Sequence, residues 1–217
     1  MRILLPPSEK KRTPISTNVL NLSSLSFASE LTQVRARLID EHPALTSEPV
    51  DAAIRVYSGV LYQSLGWQSL KEEDRARARQ SIVISSALFG ALKVEDQIPN
   101  YKHKVKPGQW KAPLEAALAD VEEDLIVDCR SSTYANMWKS NPHITVGIRV
   151  FEMRKGQRQV ITHMAKKTRG EITRLLLQEN YAPRNPEELF EVLKEKYEVD
   201  LVTPWHTRSW FIDVVVK

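Results

Sequence analysis

Two rhythms of apolar and polar positions alternate along this chain, and together they predict a mixed β-sheet flanked by helices. The apolar run Arg2 to Leu5 reads as a strand that passes directly into Pro6-Pro7-Ser8-Glu9-Lys10-Lys11-Arg12. Two prolines hold that loop extended, so the strand delivers three cations at its end. From Phe27 to Ile39 the residues Leu31, Val34 and Leu38 recur at helical spacing, and His42-Pro43 ends the helix. Asp51 to Leu65 reads as a second helix and Lys71 to Gln80 as a third, joined by Gly66-Trp67-Gln68-Ser69-Leu70. Residues 51–80 can also be drawn as a helix-hairpin-helix element.

Ser81 to Ser86 and Asp124 to Cys129 are β-branched, apolar and short, the pattern of buried strands. His143 to Met153 alternates Ile144, Val146, Ile148 and Val150 against Thr145, Gly147, Arg149 and Phe151, a half-buried strand that Gly156 turns into a partner at Val160 to His163. Helical spacing returns over Ala165 to Asn180, with Ile172, Leu175 and Leu176 on the core face, and again from Pro186 to about Lys196. Strands near Val199 to Val202 and over Trp210 to Val216 close the chain. Irregular alternation with a hairpin points to an α+β or mixed α/β fold in one domain spanning residues 1–217. No internal repeat divides it.

Composition adds limits. At 217 residues, 42% hydrophobic and 27% charged, the chain has the balance of a globular protein. There is no run of about 18 apolar residues, and the apolar stretch at the start is too short for a secretory signal, so a cytoplasmic protein away from membranes is expected. A single cysteine, Cys129, excludes an internal disulfide, and its strand position predicts an inert buried thiol. His42, His103, His143, His163 and His206 lack metal-ligand spacing, and with seven glycines there is no nucleotide-cradling loop; no metal or cofactor is expected. The net charge of +4 exerts only a mild pull on anions, so the distribution of cations must decide.

Four clusters carry that distribution. Thr162-His163-Met164-Ala165-Lys166-Lys167-Thr168-Arg169-Gly170 lies where a strand gives way to a helix, and cations in the first turns oppose the helix dipole by about 0.3–1 kcal/mol each, which suggests that an anion belongs there. Gly170 would admit a ligand or a neighbouring backbone. In Tyr101 to Lys106, an extended chain would place Lys102, Lys104 and Lys106 on one side about 6.6 Å apart, a ladder able to follow phosphates or simply to solubilise. Gly59 costs a helix about 1 kcal/mol, so something must approach it closely; the flanking Tyr57 and Tyr62 suit either base stacking or the core. Arg130, Ser131 and Tyr134 follow a strand and open a helix capped by Ser131 or Ser132. Glu9 and Asp96 stand beside cations and read as ion-pair partners more than as general bases.

In order, these pieces resemble the YaaA family of peroxide stress proteins. The matching residues are Pro7-Ser8-Glu9 with Lys11, Tyr57-x-Gly59-x-x-Tyr62-Gln63, Ser86-x-Leu88-Phe89-Gly90-x-Leu92 with Asp96 and Tyr101, then Ser131 and Tyr134, and Ala165-Lys166-Lys167-x-Arg169-Gly170. The chain departs from the pattern at Lys93-Val94, where Arg-Pro is typical, and in being shorter than many members. The resemblance implies a compact mixed α/β domain with a basic cleft and a helix-hairpin-helix element, DNA binding, and a part in surviving hydrogen peroxide by limiting damage linked to free iron. On this reading a monomer grips DNA without sequence preference through Ser8, Lys11, Lys102, Lys104, Lys166, Lys167 and Arg169. The alternative is an enzyme acting on a small anionic, nucleotide-like or phosphorylated substrate. Ser8, Glu9, Tyr57, Ser131, Tyr134, Lys166 and Arg169 supply the mixture of groups that such a pocket needs.

Overall fold

A computed structural model describes residues 1–204 and 209–216; the predicted histidine position His206 lies outside the described residues. The first strand, β1 (Arg2–Leu5), is buried along its apolar side chains, and α1 (Ala28–Asp40) lays Leu31, Leu38 and Ile39 on the core. Arg35 joins that buried face. Its Nε donates to the carbonyl of Phe89 (3.0 Å) and its Nη2 to those of Ser26 and Ala91 (both 2.8 Å), which ties the helix to the loop and strand beyond it.

The segment 51–80, drawn from spacing as two helices, is divided further. It comprises β2 (Asp51–Ala52), the single turn α2 (Ala53–Val56), α3 (Val60–Leu65), a 3-10 turn at Trp67–Ser69, and α4 (Glu72–Ser81). A helix through Tyr57 to Gly59 is overridden by the loop after β1. Arg12 N–H donates to the Val56 carbonyl (2.8 Å), Ser58 N–H to the Lys10 carbonyl (3.0 Å) and Gly59 N–H to Ser8 Oγ (2.9 Å). These tertiary bonds replace the intrahelical ones, and Gly59 becomes the cap of α3 instead of an interior position. At the expected hairpin, the amides of Gly66, Ser69, Leu70 and Lys71 are already engaged by Tyr62, Gly66, Trp67 and Asp74.

The buried run after α4 forms β3 (Ile82–Ser86), followed by β4 (Gly90–Leu92), β5 (Gln97–Ile98) and α5 (Lys111–Ala117). Then come β6 (Ile126–Asp128), the short α6 (Ser132–Ala135), and the hairpin of β7 (Thr145–Arg154) with β8 (Gln157–Val160), turned at Lys155 and Gly156 in left-handed conformations. The long helix α7 (Thr162–Gln178) starts three residues before the expected Ala165. α8 (Pro186–Lys194), β9 (Glu198–Val202) and β10 (Trp210–Val216) complete the chain.

One mixed eight-stranded sheet organises these elements in the order β4-β3-β1-β6-β7-β10-β9, with β8 added to β7; β2 and β5 pair separately. From β3 to β10 the strands run parallel, whereas β4, β8 and β9 are antiparallel to their neighbours. β10 covers one edge of β7, so β6 and β8 share the other: β6 pairs with Thr145–Gly147 and β8 with Phe151–Arg154. The chain leaves β1 towards β3 and later returns to β6 on the opposite flank. The carboxyl end of β1 is therefore a topological switch point, the position at which α/β sheets open a crevice. Among the described residues, no helix is long and apolar enough to cross a membrane.

Candidate functional site at the carboxyl end of the first strand

The loop leaving β1 is zipped against residues 56–59, and this fixes Lys11 opposite Tyr57 in an isolated antiparallel bridge. The Lys11 ammonium lies 4.4 Å from the ring centroid of Tyr101 and 5.7 Å from that of Tyr57. Two aromatic faces favour the charged amine, but burial opposes it more strongly. Burial pulls the Lys11 pKa down to about 8; the negative charge of Glu9 works against that fall and the positive charge of Lys102 adds to it. No carboxylate lies within ion-pair distance of Lys11 among the described residues.

Beneath the amine is a chain of hydroxyls. Tyr57 and Tyr101 share a hydrogen bond of 2.8 Å, Tyr101 and Ser86 share another of 2.7 Å, and Ser86 Oγ accepts from the Phe89 N–H at 3.0 Å. Tyr62 packs its ring 5.3 Å from that of Tyr57 and donates its hydroxyl to the Pro6 carbonyl (2.8 Å). Burial raises the pKa of all three phenols, so they are neutral hydrogen-bonding groups at physiological pH. Tyr134, half-buried on α6, is raised by burial and by the charge of Glu9, and it bears electrostatically on Tyr62 and Tyr101. The loops after β1 and β6, the break before α3, and Tyr101 thus meet in one place.

Beyond Tyr101 the chain is extended, and exposure alternates: Lys102, Lys104 and Lys106 face solvent while His103 and Val105 turn inward. His103 Nδ1 is bonded to His42 Nε2 at 2.9 Å, and its own Nε2 is buried without a partner. Burial, then the adjacent His42, lowers the His103 pKa. A cavity of about 460 Å³ opens beside this pair, lined by His42, Pro43, Ala44, Leu45, Asn100, Tyr101 and Lys102.

The sequence model of peroxide stress protein YaaA matches residues 1–201. The chain belongs to the YaaA family. It is 33% identical to a UPF0246 protein of Streptomyces coelicolor, with all of this chain and 98% of the relative covered. A UPF0246 protein of Corynebacterium glutamicum is 30% identical over 88% of this chain and 91% of its own length. An uncharacterized protein of Campylobacter jejuni is 26% identical over 78% of this chain and 82% of its own.

Not every expected site residue of this YaaA-family chain converges. Arg130 is buried and committed: Nε and Nη2 donate to the two carboxylate oxygens of Asp128 (2.9 and 2.8 Å), and Nη1 to the Trp138 carbonyl (3.1 Å). Because α7 begins at Thr162, Lys166, Lys167 and Arg169 stand beyond its first turn, and the dipole argument for an anion there no longer applies. Lys167 pairs with Glu171 at 3.6 Å, and Arg169 donates Nε and Nη2 to the Ile148 carbonyl (3.1 and 2.7 Å). Lys166 is exposed. Gly170 serves a helix crossing: a Cβ there would lie 2.2 Å from the Leu61 carbonyl oxygen of α3. Ser131, exposed, caps α6 through its carbonyl.

Two carboxylates also differ from their sequence reading. Asp96 is no surface ion-pair partner; it is buried and accepts from Ser26 N–H and Oγ and from Lys93 N–H at 2.8–2.9 Å. Glu9 is exposed beside Lys11 without an ion pair among the described residues. Ser86 stood in the family string beside Tyr101 without a binding role assigned to it, and the pair His42 and His103 was missed as a neighbour of the site, because nothing local in sequence joins it to the rest.

Proposed function

We propose that the carboxyl edge of β1, with the lysine ladder beyond Tyr101, binds the phosphates of DNA, and that this serves the family's peroxide-stress role by covering DNA against damage linked to free iron. One observation carries the reading: exposed lysines without ion pairs follow one another at alternate positions of the extended segment beyond Tyr101, next to Lys11, whereas several arginines elsewhere are tied to carboxylates. Arg79 is tied to Glu72 and Glu95, Arg130 to Asp128, Arg149 to Asp213 and Arg158 to Asp200. By contrast Lys10, Lys102, Lys104 and Lys106 are exposed and without an ion pair among the described residues; Lys10 precedes Lys11 in the chain and Lys102 acts on it electrostatically. Unpaired surface cations concentrate counter-anions and release ions when a phosphate takes their place. Tyr57 and Tyr62 do not stack on bases in this reading, since both are buried and their hydroxyls are used internally.

The test is the anisotropy of a labelled duplex titrated at several salt concentrations. Log affinity should fall against log salt with a slope of several units, each neutralised phosphate contributing about −0.9. A flat dependence, or no binding at low salt, rules the reading out. The cavity of about 460 Å³ beside Lys102 favours a second reading, a small anionic ligand or substrate held against Pro43, Ala44 and Leu45. A nucleotide and phosphosugar panel in thermal denaturation tests it, because a ligand at 100 times its Kd stabilises by about 2.7 kcal/mol.

A further inference from the structure

Lys11 differs from the other lysines at this edge in a way that phosphate binding does not require. A phosphate contact is served by an exposed ammonium, as Lys102 and Lys104 are placed to provide. Lys11 is drawn back between the faces of Tyr57 and Tyr101, above neutral phenols and away from any carboxylate within ion-pair range among the described residues. Such a site desolvates an amine without giving it an ion-paired carboxylate, which is how lysines are prepared for covalent chemistry with carbonyl groups. It also stands at the switch point of the sheet, with Lys102 close enough to act on it electrostatically.

We propose that Lys11 is a nucleophilic amine that captures, as an imine, an aldehyde carried beside a phosphate, with Lys102 holding that phosphate. The proposal rests on the reading that this edge binds phosphates. Two sources share the chemistry: the ring-opened sugar of an abasic nucleotide in DNA, and a free phosphorylated aldehyde. In the step, the lone pair of neutral Nζ attacks the aldehyde carbon and forms the C–N bond. The carbonyl oxygen takes one proton from Nζ and one from solvent, the C–O bond breaks, and water leaves a protonated imine. No oxidant or reductant is consumed. The groups facing Nζ are Tyr57 and Tyr101, both neutral, with Glu9 and Lys102 of opposite effect on its charge. With its pKa near 8, about one Lys11 in ten is neutral at pH 7, against about one in a few thousand for an ordinary lysine. Lower basicity reduces intrinsic nucleophilicity, so the net expectation is capture roughly tenfold or more faster than at Lys10 or Lys104.

Borohydride supplies the test, because it reduces an imine to a stable secondary amine that peptide mass mapping can place. The full-length protein is incubated with borohydride and either a duplex bearing one abasic site or glyceraldehyde 3-phosphate, and intact duplex binding is followed in parallel. The adduct is expected on Lys11, lost in Lys11→Arg, and slowed in Lys102→Gln for the phosphorylated aldehyde but not for glyceraldehyde; circular dichroism verifies that both variants fold. Reaction with the abasic duplex alone assigns DNA as the source, and reaction with the triose alone assigns the small molecule. Both results support the proposal. Adducts spread evenly over the exposed lysines, or absent from Lys11 with both probes, overturn it. Loss of intact duplex binding with Lys11 still captured by the triose rejects the DNA reading and leaves this one standing.

Discussion

The ammonium of Lys11 lies over the ring of Tyr101 at 4.4 Å, although 90 positions separate the two in sequence. Tyr101 is held in turn by Tyr57 and Ser86, so the ring beneath the amine is fixed. Its pKa of about 8, against 10.5 for a free lysine, gives two pH effects of opposite sign. Raising the pH from 7 to 9 removes the charge, so phosphate binding should weaken and the salt slope should fall by about one contact, roughly 0.9. Between about pH 8 and 10.5 the unfolded chain holds a proton that the native state lacks, so native stability should rise with pH across that window. Anisotropy and urea denaturation, each compared with Lys11→Met, should show both effects disappear in the variant.

The lysine ladder makes a separate prediction. Replacing Lys102, Lys104 and Lys106 by Gln removes three exposed charges that make no hydrogen bond or ion pair among the described residues. If each neutralises a phosphate, the salt slope should fall by about 2.7, and the thermal midpoint should stay within about 1–2 °C of the parent. The same exchange at Lys166 and Lys167 should lower the slope much less, since Lys167 is already paired with Glu171. Equal losses from the two sets would move the binding surface to α7.

How far the sequence alone led depends on whether a feature is local. β10 was legible to the residue, and β3 and β6 to within two, because each is an apolar β-branched run with polar ends. Residues 88–117 carry no such rhythm; β4 and β5 there are held by partners at Ile84–Ser86 and Asp51–Ala52. The break at Tyr57 was hidden for the same reason, since the bonds that open the helix come from Ser8 to Arg12. Of the site, the string of family residues identified Ser8, Lys11, Tyr57, Tyr62, Tyr101 and Tyr134, which do meet. It could not show that Arg130, Arg169 and Gly170 are spent on Asp128, the Ile148 carbonyl and α3.

Gly170 separates a ligand role from a packing role. Alanine there would bring Cβ to 2.2 Å from the Leu61 carbonyl oxygen and 2.9 Å from Ser64 Cβ, so α3 and α7 must part. The helix-propensity gain of about 1 kcal/mol is outweighed by overpacking of about 1–3 kcal/mol or more. Gly170→Ala should therefore unfold at lower urea, with the salt slope of DNA binding unchanged in the fraction that remains folded.

Cys129 offers a control on the peroxide-stress connection. Burial pushes its thiol up to about 12, and the nearby Arg169 charge only partly opposes that. A thiol so rarely ionised is a poor nucleophile towards peroxide. Native protein should leave Ellman's reagent and hydrogen peroxide unreacted at Cys129 over times that modify the urea-unfolded chain, and Cys129→Ala should keep full DNA affinity. Rapid sulfenic acid formation in the native state would show that the segment just after β6 opens.

The Ser8 and Gly59 contact couples the loop after β1 to the cap of α3, and a double-mutant cycle can measure it. Gly59 N–H donates to Ser8 Oγ at 2.9 Å, while a Cβ on residue 59 would stand 2.4 Å from that same oxygen. The backbone at Gly59 has φ −73°, which alanine adopts without strain, so the clash is the whole objection to a side chain there. Ser8→Ala should lose about 1 kcal/mol with the hydrogen bond. Gly59→Ala should lose about 1–3 kcal/mol, because the hydroxyl must move out of a packed loop. In the double variant the oxygen that clashes is gone, and the next atom, Ser8 Cβ, lies at an acceptable 3.4 Å. The two losses should then sum to less than their separate values by about 0.5 kcal/mol or more in urea denaturation. Strict additivity would mean that the loop carrying Lys11 is not held to α3 by this contact, and the placement of the amine over Tyr101 would need another anchor.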